Sequence, residues 1–165
     1  MIIIDIVLAK EKESSIIESL IDGEGIRVVV FTCGCPHKCK GCQNDMTWDI
    51  KNGIKYNIEE VYFYIKSILD KGNYDGITFS GGDPLYQEKS VQKLIKLLRK
   101  YNPSLNIWLY TGYVYEDIQD NEILKDINTL VDGPFIESKK GKIRFRGSSN
   151  QRLLYLKNGK IDYIK

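Results

Sequence analysis

All four cysteines of the chain lie between Cys33 and Cys42. No cysteine stands elsewhere for a disulfide to reach across the fold, so a secreted, disulfide-stapled domain is excluded. Four thiols within ten residues instead indicate metal or redox chemistry. The segment therefore predicts a metal-binding loop, and its spacing bears on which metal the loop holds.

Cys35, Cys39 and Cys42 are spaced C-x3-C-x2-C, which is tight enough to bring three sulfurs onto one face of a cubane cluster. A 4Fe-4S cluster usually takes four cysteine ligands, so a three-cysteine loop leaves one iron open to an exogenous ligand. Two alternatives stay open: zinc bound by all four cysteines, and an electron-transfer cluster with Cys33 as fourth ligand. Cys33 ends an apolar run, where its thiol can pack as a small hydrophobe. His37 lies between two cysteines and is expected to contact whatever occupies the open iron.

Apolar periodicity predicts strands that alternate with helices. A polar stretch separates the first strand from Asp22. Strand then helix, three times over, indicates a parallel sheet with helical crossovers, either doubly wound or a curved part-barrel. At 165 residues, the chain is expected to form a single domain, 1–165. The predicted strands are Ile2 to Leu8, Arg27 to Thr32, Gly76 to Ser80, Ile107 to Tyr110 and Thr129 to Val131; the predicted helices are Ile58 to Lys71, Gln87 to Tyr101 and Tyr115 to Ile127; and Leu153 to Ile164 is a predicted β-hairpin around Asn158-Gly159.

Four unusual turns follow predicted strands: the cysteine segment, Gly81-Gly82, Thr111-Gly112 and Asp132-Gly133. Because parallel strands deliver their carboxyl ends to one edge of a sheet, these turns are expected to meet there. Taken alone, Gly81-Gly82 and Thr111-Gly112 are also compatible with plain turns.

The charge is unevenly distributed. Lys139 to Lys165 holds nine Lys or Arg and one acid, net +8, whereas the rest of the chain is net −6. We weigh a solvated surface first, a docking face for a protein or nucleotide-bearing partner second, and direct nucleic-acid binding last. Apolar runs are far shorter than a membrane span, and Asp5 interrupts any signal-like start, so a soluble, cytoplasmic protein is expected.

The cysteine spacing after a strand resembles the signature of radical S-adenosylmethionine enzymes. Further segments are similar, in order, to the activating proteins of anaerobic ribonucleoside-triphosphate reductases, and the likeness covers Asp22 to Arg152. The resemblance implies a partial (β/α) barrel with a C-terminal β-hairpin, and a 4Fe-4S cluster held by the three spaced cysteines. The matching segments are Asp22-Gly-x-Gly-x-Arg27, Phe31-x-x-Gly-Cys35, Cys39-x-Gly-Cys42-x-Asn44, Ser80-Gly-Gly-Asp-Pro-Leu85, Thr111-Gly-Tyr113, Asp132-Gly-Pro-Phe135 and Arg146-Gly-Ser-Ser-Asn-Gln-Arg152.

The resemblance also implies that S-adenosylmethionine binds the open iron through its methionine amine and carboxylate and is split to a 5′-deoxyadenosyl radical. Backbone carbonyls at Gly81 and Gly82 would approach the methionine ammonium, and Asp83 would accept a hydrogen bond from it. Thr111 would contact the ribose or the carboxylate, and Asn150 would offer an amide.

The chain departs from the broader pattern in three places. Gly41 stands where many of these enzymes place an aromatic residue against the adenine, so His37 is the first candidate for that contact. Asp83 replaces the usual glutamate. Cys33 stands where the family has a small residue, and it inherits no role.

A chain of this length has little room to cap its own site, so a large protein substrate is expected. The resemblance implies the anaerobic reductase, whose C-terminal glycine would lose its α-hydrogen, with a reduced flavodoxin or ferredoxin type protein as electron donor. Two other functions stay open. One is a radical S-adenosylmethionine enzyme acting on a small molecule, such as a deazapurine carboxylate synthase; the other is a non-enzymatic metal-binding module whose basic segment binds nucleic acid.

Overall fold

The computed structural model describes residues 5–42 and 44–165. Short 3-10 turns cover Asp45–Thr47, Ile50–Asn52, Pro84–Gln87, Glu122–Asp126 and Glu137–Lys139. The strands are β1 Asp5–Leu8, β2 Ile16–Ser19, β3 Arg27–Thr32, β4 Ile54–Asn57, β5 Gly76–Gly81, β6 Ile107–Tyr110, β7 Thr129–Asp132, β8 Lys140–Ile143, β9 Arg146–Ser148, β10 Arg152–Lys157 and β11 Lys160–Ile164; the helices are α1 Lys12–Ser15, α2 Ile58–Lys71, α3 Glu88–Tyr101 and α4 Tyr115–Ile118.

Within these residues, the main sheet has nine strands in the order β11-β10-β7-β6-β5-β3-β1-β4, with β2 also paired to β3. Its centre, β3-β5-β6-β7, is parallel. The flanking pairs are antiparallel. The predicted α/β class with parallel crossovers is confirmed, in a sheet whose two sides are mixed. Strands β8 and β9 form a separate two-stranded sheet.

Helices α2 and α3 cover one face of the main sheet. Asn57 caps α2, because its side chain accepts a hydrogen bond from the Glu59 backbone N–H at 2.9 Å. Val61 and Ile65 lie one turn apart on the buried face of α2. In α3 the same spacing buries Val91, Leu94, Ile95 and Leu98. This packing fixes the strand ends that the crossovers connect.

On the other face, Arg27 closes the end of the sheet opposite the cysteine segment. Its side chain is 1% exposed and lies over the Trp108 ring at 5.3 Å. The guanidinium donates to Thr78 Oγ1 at 2.8 Å and to both oxygens of Asn106. Burial lowers the pKa of Arg27 to about 10. Thr78 Oγ1 in turn donates to the Asp22 carbonyl. The matching Asp22-Gly-x-Gly-x-Arg27 segment therefore has a structural role, because both of its ends are bonded to β5 through Thr78.

Several expectations need correction. The polar stretch before Asp22 contains α1 and β2. The predicted helix Tyr115 to Ile127 is wrong as a single helix, because α4 ends at Ile118 and a 3-10 turn begins at Glu122. Asn121 caps that turn by accepting a hydrogen bond from the Ile123 N–H, which favours a fresh start over continuation. Ile2 to Ile4 of the first predicted strand lie outside the described residues. In the part of the chain that the structure describes, no helix combines the length and apolarity that crossing a membrane requires.

Candidate metal centre

The cysteine loop, which we define as residues 33–42 and 44–48, leaves the carboxyl end of β3, and hydrogen bonds close its base. The Gly34 N–H donates to the Thr47 carbonyl at 2.7 Å, and the Cys35 N–H donates to the Trp48 carbonyl at 3.0 Å. These two bonds hold the entry and exit of the loop side by side. The loop therefore projects as a closed unit from the edge of the sheet.

Three free, partly buried thiols, those of Cys35, Cys39 and Cys42, line one cavity of about 150 Å³. The turns after β5, β6 and β7 line the same cavity. This confirms the prediction that these turns meet at one edge of the sheet. Sequence reasoning did not single out four other lining residues: Ser80, Phe135 and Gln151, which belong to the matching segments, and Tyr110, which belongs to none. Trp48 also lines the cavity, and its indole N–H is buried with no partner among the described residues.

The donor set fits an iron–sulfur cluster. Soft thiolate sulfurs are the ligands that such clusters prefer. Burial raises the pKa of the Cys35 thiol, while the backbone N–H groups of His37 and Lys38 act in the opposite direction; metal binding displaces the thiol proton. Among residues 5–42 and 44–165, no three His, Cys, Asp or Glu side chains converge on the position of a single metal ion.

Cys33 occupies a different environment. Its side chain is fully buried, outside the cavity lining, and its Sγ lies 3.3 Å from the Asp49 carbonyl and 3.7 Å from the Thr47 carbonyl. Burial raises the pKa of the Cys33 thiol. A neutral thiol that donates to a carbonyl is the packing arrangement expected for a small hydrophobic residue.

Asp83 is the meeting point of three segments. Its carboxylate is 1% exposed and accepts a hydrogen bond from the Leu85 N–H at 3.0 Å on Oδ1. On Oδ2 it accepts from Thr111 Oγ1 at 2.8 Å and from the Gly112 N–H at 2.9 Å. His37 Nε2 lies 2.6 Å from the same Oδ2. The residue predicted to receive the methionine ammonium thus already has three protein donors and a close imidazole nitrogen.

Gly81 and Gly82 pack directly against the start of the cysteine loop. Gly81 has φ +112°, and a Cβ there would lie 2.2 Å from the Thr32 carbonyl oxygen. A Cβ on Gly82 would lie 2.5 Å from the Gly34 carbonyl oxygen. The Asp83 N–H donates to that same carbonyl at 2.8 Å. Glycine is thus required at positions 81 and 82 by close backbone packing, whether or not a cofactor also contacts them.

The Asp132-Gly-Pro-Phe and Arg146 to Arg152 segments bind each other. Asp132 is 1% exposed and receives Arg152 Nε at 3.0 Å and Nη2 at 2.5 Å, together with the Tyr115 N–H at 2.7 Å. Hydrogen bonds to Asp132 and Glu116 raise the pKa of Arg152. The ion pair therefore clamps β10 to the carboxyl end of β7 and to the start of α4.

Two amides complete this connection. Gln151 Nε2 donates to the Gly133 carbonyl at 3.0 Å, and Asn150 Nδ2 donates to the Pro134 carbonyl at 2.7 Å. Gln151 lines the metal cavity, whereas Asn150 lies outside the lining. The cofactor contact expected of Asn150 stays a prediction, as do those of His37, Gly81, Gly82, Asp83 and Thr111.

A C-x3-C-x2-C loop at the carboxyl edge of a parallel sheet, sharing a cavity with glycine turns, defines the class of radical S-adenosylmethionine proteins. A solved structure, that of QueE from Escherichia coli, has a similar fold, with TM-score 0.51 and 15% identity over 66% of this chain and 52% of that one. The family model described as a 4Fe-4S single cluster domain matches residues 21–154.

Curated relatives are more specific. The chain is 40% identical over 135 residues, 81% of its length and 86% of the relative's, to the anaerobic ribonucleoside-triphosphate reductase-activating protein of Enterobacteria phage T4. It is 35% identical to the protein of that name from Vibrio cholerae, over 80% of this chain and 89% of the relative. With the Escherichia coli K12 protein the identity is 33%, over 84% and 94%. The chain belongs to the family of anaerobic ribonucleoside-triphosphate reductase-activating proteins.

Proposed function

We propose that this chain activates an anaerobic ribonucleoside-triphosphate reductase by generating a glycyl radical on it. The observation that carries the proposal is the single cavity in which the three spaced thiols meet the turns after three parallel strands. The relatives that match about four fifths of this chain are named as activating proteins of that reductase. No feature of the described residues favours a small-molecule substrate or a nucleic acid over this reading.

Cys35, Cys39 and Cys42 would hold a 4Fe-4S cluster, and S-adenosylmethionine would bind beside it. When bound, these groups supply one electron and a sulfonium bond whose cleavage yields methionine and a 5′-deoxyadenosyl radical. The chain's own residues would bind and orient the cofactor: backbone carbonyls at Gly81 and Gly82 would approach the methionine ammonium. The other proposed contacts are Asp83 to the methionine ammonium, Thr111 to the ribose or carboxylate, His37 to the adenine, and Asn150 through its amide.

The protein substrate needs a route to this cavity, and an adjoining groove offers one. The groove, of about 620 Å³, is lined by Lys40, Phe135, Ile136, Glu137 and Ser138. Phe135 lines both this groove and the metal cavity, so the two are adjacent. Lys139, Lys140 and Lys142 are exposed and follow Ser138 of the groove in sequence. We assign this face to the glycine-bearing segment of the reductase.

The proposal has three further parts. The parallel centre β3-β5-β6-β7 supports a partial (β/α) barrel within one domain spanning residues 1–165. A reduced flavodoxin or ferredoxin type protein would supply the electron. Free cysteines are typical of the reducing cytoplasm, where we place the reaction.

Electron paramagnetic resonance tests the function. The anaerobically reconstituted protein is reduced and mixed with S-adenosylmethionine and the candidate reductase, and we expect the doublet of a glycyl radical. The Cys39→Ser variant, matched in size, should give no doublet. Cleavage of S-adenosylmethionine with no doublet at any reductase concentration, together with turnover of a small molecule alone, would overturn the proposal.

A further inference from the structure

We propose that His37 and Asp83 form a positioning pair that fixes the cysteine loop against the sheet before any cofactor binds. The inference deepens the proposed function, because it concerns the loop that would hold the cluster. It assigns Asp83 a role toward the protein that is separate from its predicted contact with S-adenosylmethionine.

The acceptor of the pair is rigid without His37. Leu85, Thr111 and Gly112 donate to the Asp83 carboxylate from the turns after β5 and β6. The carboxylate is 1% exposed, so it cannot follow a moving partner into solvent. A carboxylate held by three donors is a fixed point on the sheet edge, and the cysteine loop must come to it.

The donor of the pair lies between two of the predicted ligands. His37 Nε2 is 2.6 Å from Asp83 Oδ2, and since a carboxylate oxygen accepts, Nε2 carries the proton that is shared. The His37 ring meets the Tyr113 ring edge-on with centroids 4.5 Å apart. On its other side the ring lies so close to Gly112 that a Cβ there would be 2.5 Å from His37 Cδ2. The imidazole is therefore confined on several sides.

The backbone beside His37 needs such an anchor. Lys38 has φ +49°, a left-handed conformation that costs a non-glycine residue free energy. This reversal lies between Cys35 and Cys39 and sets how their side chains are disposed. The base of the loop is closed by bonds from Gly34 to Thr47 and from Cys35 to Trp48, which lie several residues from Lys38 in sequence on at least one side. The contact of His37 with Asp83 lies directly beside the strained residue.

Deuterium uptake of the metal-free protein tests the pair directly. Peptides covering residues 34–42 should exchange roughly 10-fold faster or more in His37→Phe, which keeps an aromatic ring but loses the donor. His37→Gln, whose amide N–H can reach the same carboxylate, should stay close to wild type. Asp49→Asn, which alters an exposed carboxylate of the adjacent segment, is the matched control and should change nothing.

Iron retention gives the second readout. After reconstitution without S-adenosylmethionine, iron loss to a ferrous chelator should be faster in His37→Phe and in Asp83→Asn, and the double variant should be no worse than the worse single one, because both remove one contact. Wild-type exchange and iron retention in both single variants would overturn the pair. A protein whose loop depends on the pair but which forms no glycyl radical would contradict only the proposed function.

Discussion

The four cysteines show how strongly the surroundings of one side chain decide its chemistry. Cys35, Cys39 and Cys42 border a cavity with turn backbone around them. Cys33, two residues before the first of them, is enclosed by the loop exit and donates to a carbonyl. Cys33 is close to the other three cysteines in sequence but lies outside their cavity. The number of cysteines in the segment is therefore larger than the predicted number of cluster ligands.

Cys33→Ala should therefore retain its 4Fe-4S cluster. The variant should lose about 1 kcal/mol of stability, since one buried heavy atom is removed. Iron and sulfide content and the visible absorbance after anaerobic reconstitution check this. Cys35→Ala is the comparison and should lose a stable cluster; the opposite ranking of the two variants would show that the ligand set includes Cys33.

Local patterns and long-range contacts differed in how far the sequence could predict them. The cysteine spacing and the glycine turns are local, and the structure brings them to one cavity. The contact of His37 with Asp83 joins residues 46 apart, and no spacing rule links them. The hydroxyl of Thr111 likewise donates to Asp83, a contact that no spacing predicts, because buried carboxylates are usually hydrogen-bonded. Its contact with a ligand stays a prediction.

Among the elements, the strands with clear apolar runs were predictable and the short exposed ones were not. Strands β3, β5 and β6 are almost wholly buried. Strands β4 and β8 are four residues each and largely exposed, and neither contains a run of adjacent apolar residues. Their existence depends on partners that arrive from elsewhere in the chain, such as β1 for β4.

The turn after β5 should tolerate no side chain. Gly81→Ala would set a Cβ against the Thr32 backbone at a positive φ, and we expect a loss of about 3 kcal/mol or more. Gly141→Ala is the matched control, because its Cβ would meet only the Ile143 side chain at 3.7 Å; its effect should stay within about 0.5 kcal/mol. Urea unfolding of the reduced, metal-free proteins measures both. Equal midpoints would contradict the close packing of this turn on β3.

Arg152 links β10 to β7 and to α4 through two acids, buried Asp132 and exposed Glu116. We expect the pair with Asp132 to contribute more to stability than the pair with Glu116. Arg152→Met leaves Asp132 buried and unpaired, and should cost roughly 3 kcal/mol. Glu116→Gln removes only the exposed partner, whose side chain is 58% accessible, and should cost less than about 1 kcal/mol. Denaturant midpoints of the two variants decide this, and a larger loss in Glu116→Gln would show that the buried pair is not the clamp.

Charge divides the whole molecule into a basic C-terminal part and an acidic remainder. The basic part is ordered structure, since β8 to β11 occupy it, and Lys139, Lys140 and Lys142 take part in no ion pair among the described residues. In sequence they follow Ser138, which lines the groove beside the metal cavity. Exposed charges at a rim govern encounter and orientation more than final affinity.

Changing these three lysines to glutamine should leave cleavage of S-adenosylmethionine without partner nearly intact. Glycyl-radical formation should weaken, and the difference from wild type should shrink at high salt, because screening already removes the long-range attraction. Both activities are measured at low and high ionic strength. Full activation by the triple variant at low salt would show that the three lysines are ordinary surface residues. Loss of cleavage without partner would show that they belong to the cofactor site.

The tied base of the cysteine loop has a consequence for how the protein acquires its iron. The bonds that close the loop, from Gly34 to Thr47 and from Cys35 to Trp48, use backbone groups and no thiol. In zinc fingers metal uptake and folding are one event; here backbone pairing holds the main sheet, and none of Cys35, Cys39 and Cys42 belongs to its apolar core. A loop closed at its base can open locally at a cost far below that of unfolding. We therefore expect cluster assembly to follow folding, so that a folded chain takes up iron and sulfide by local opening of this loop.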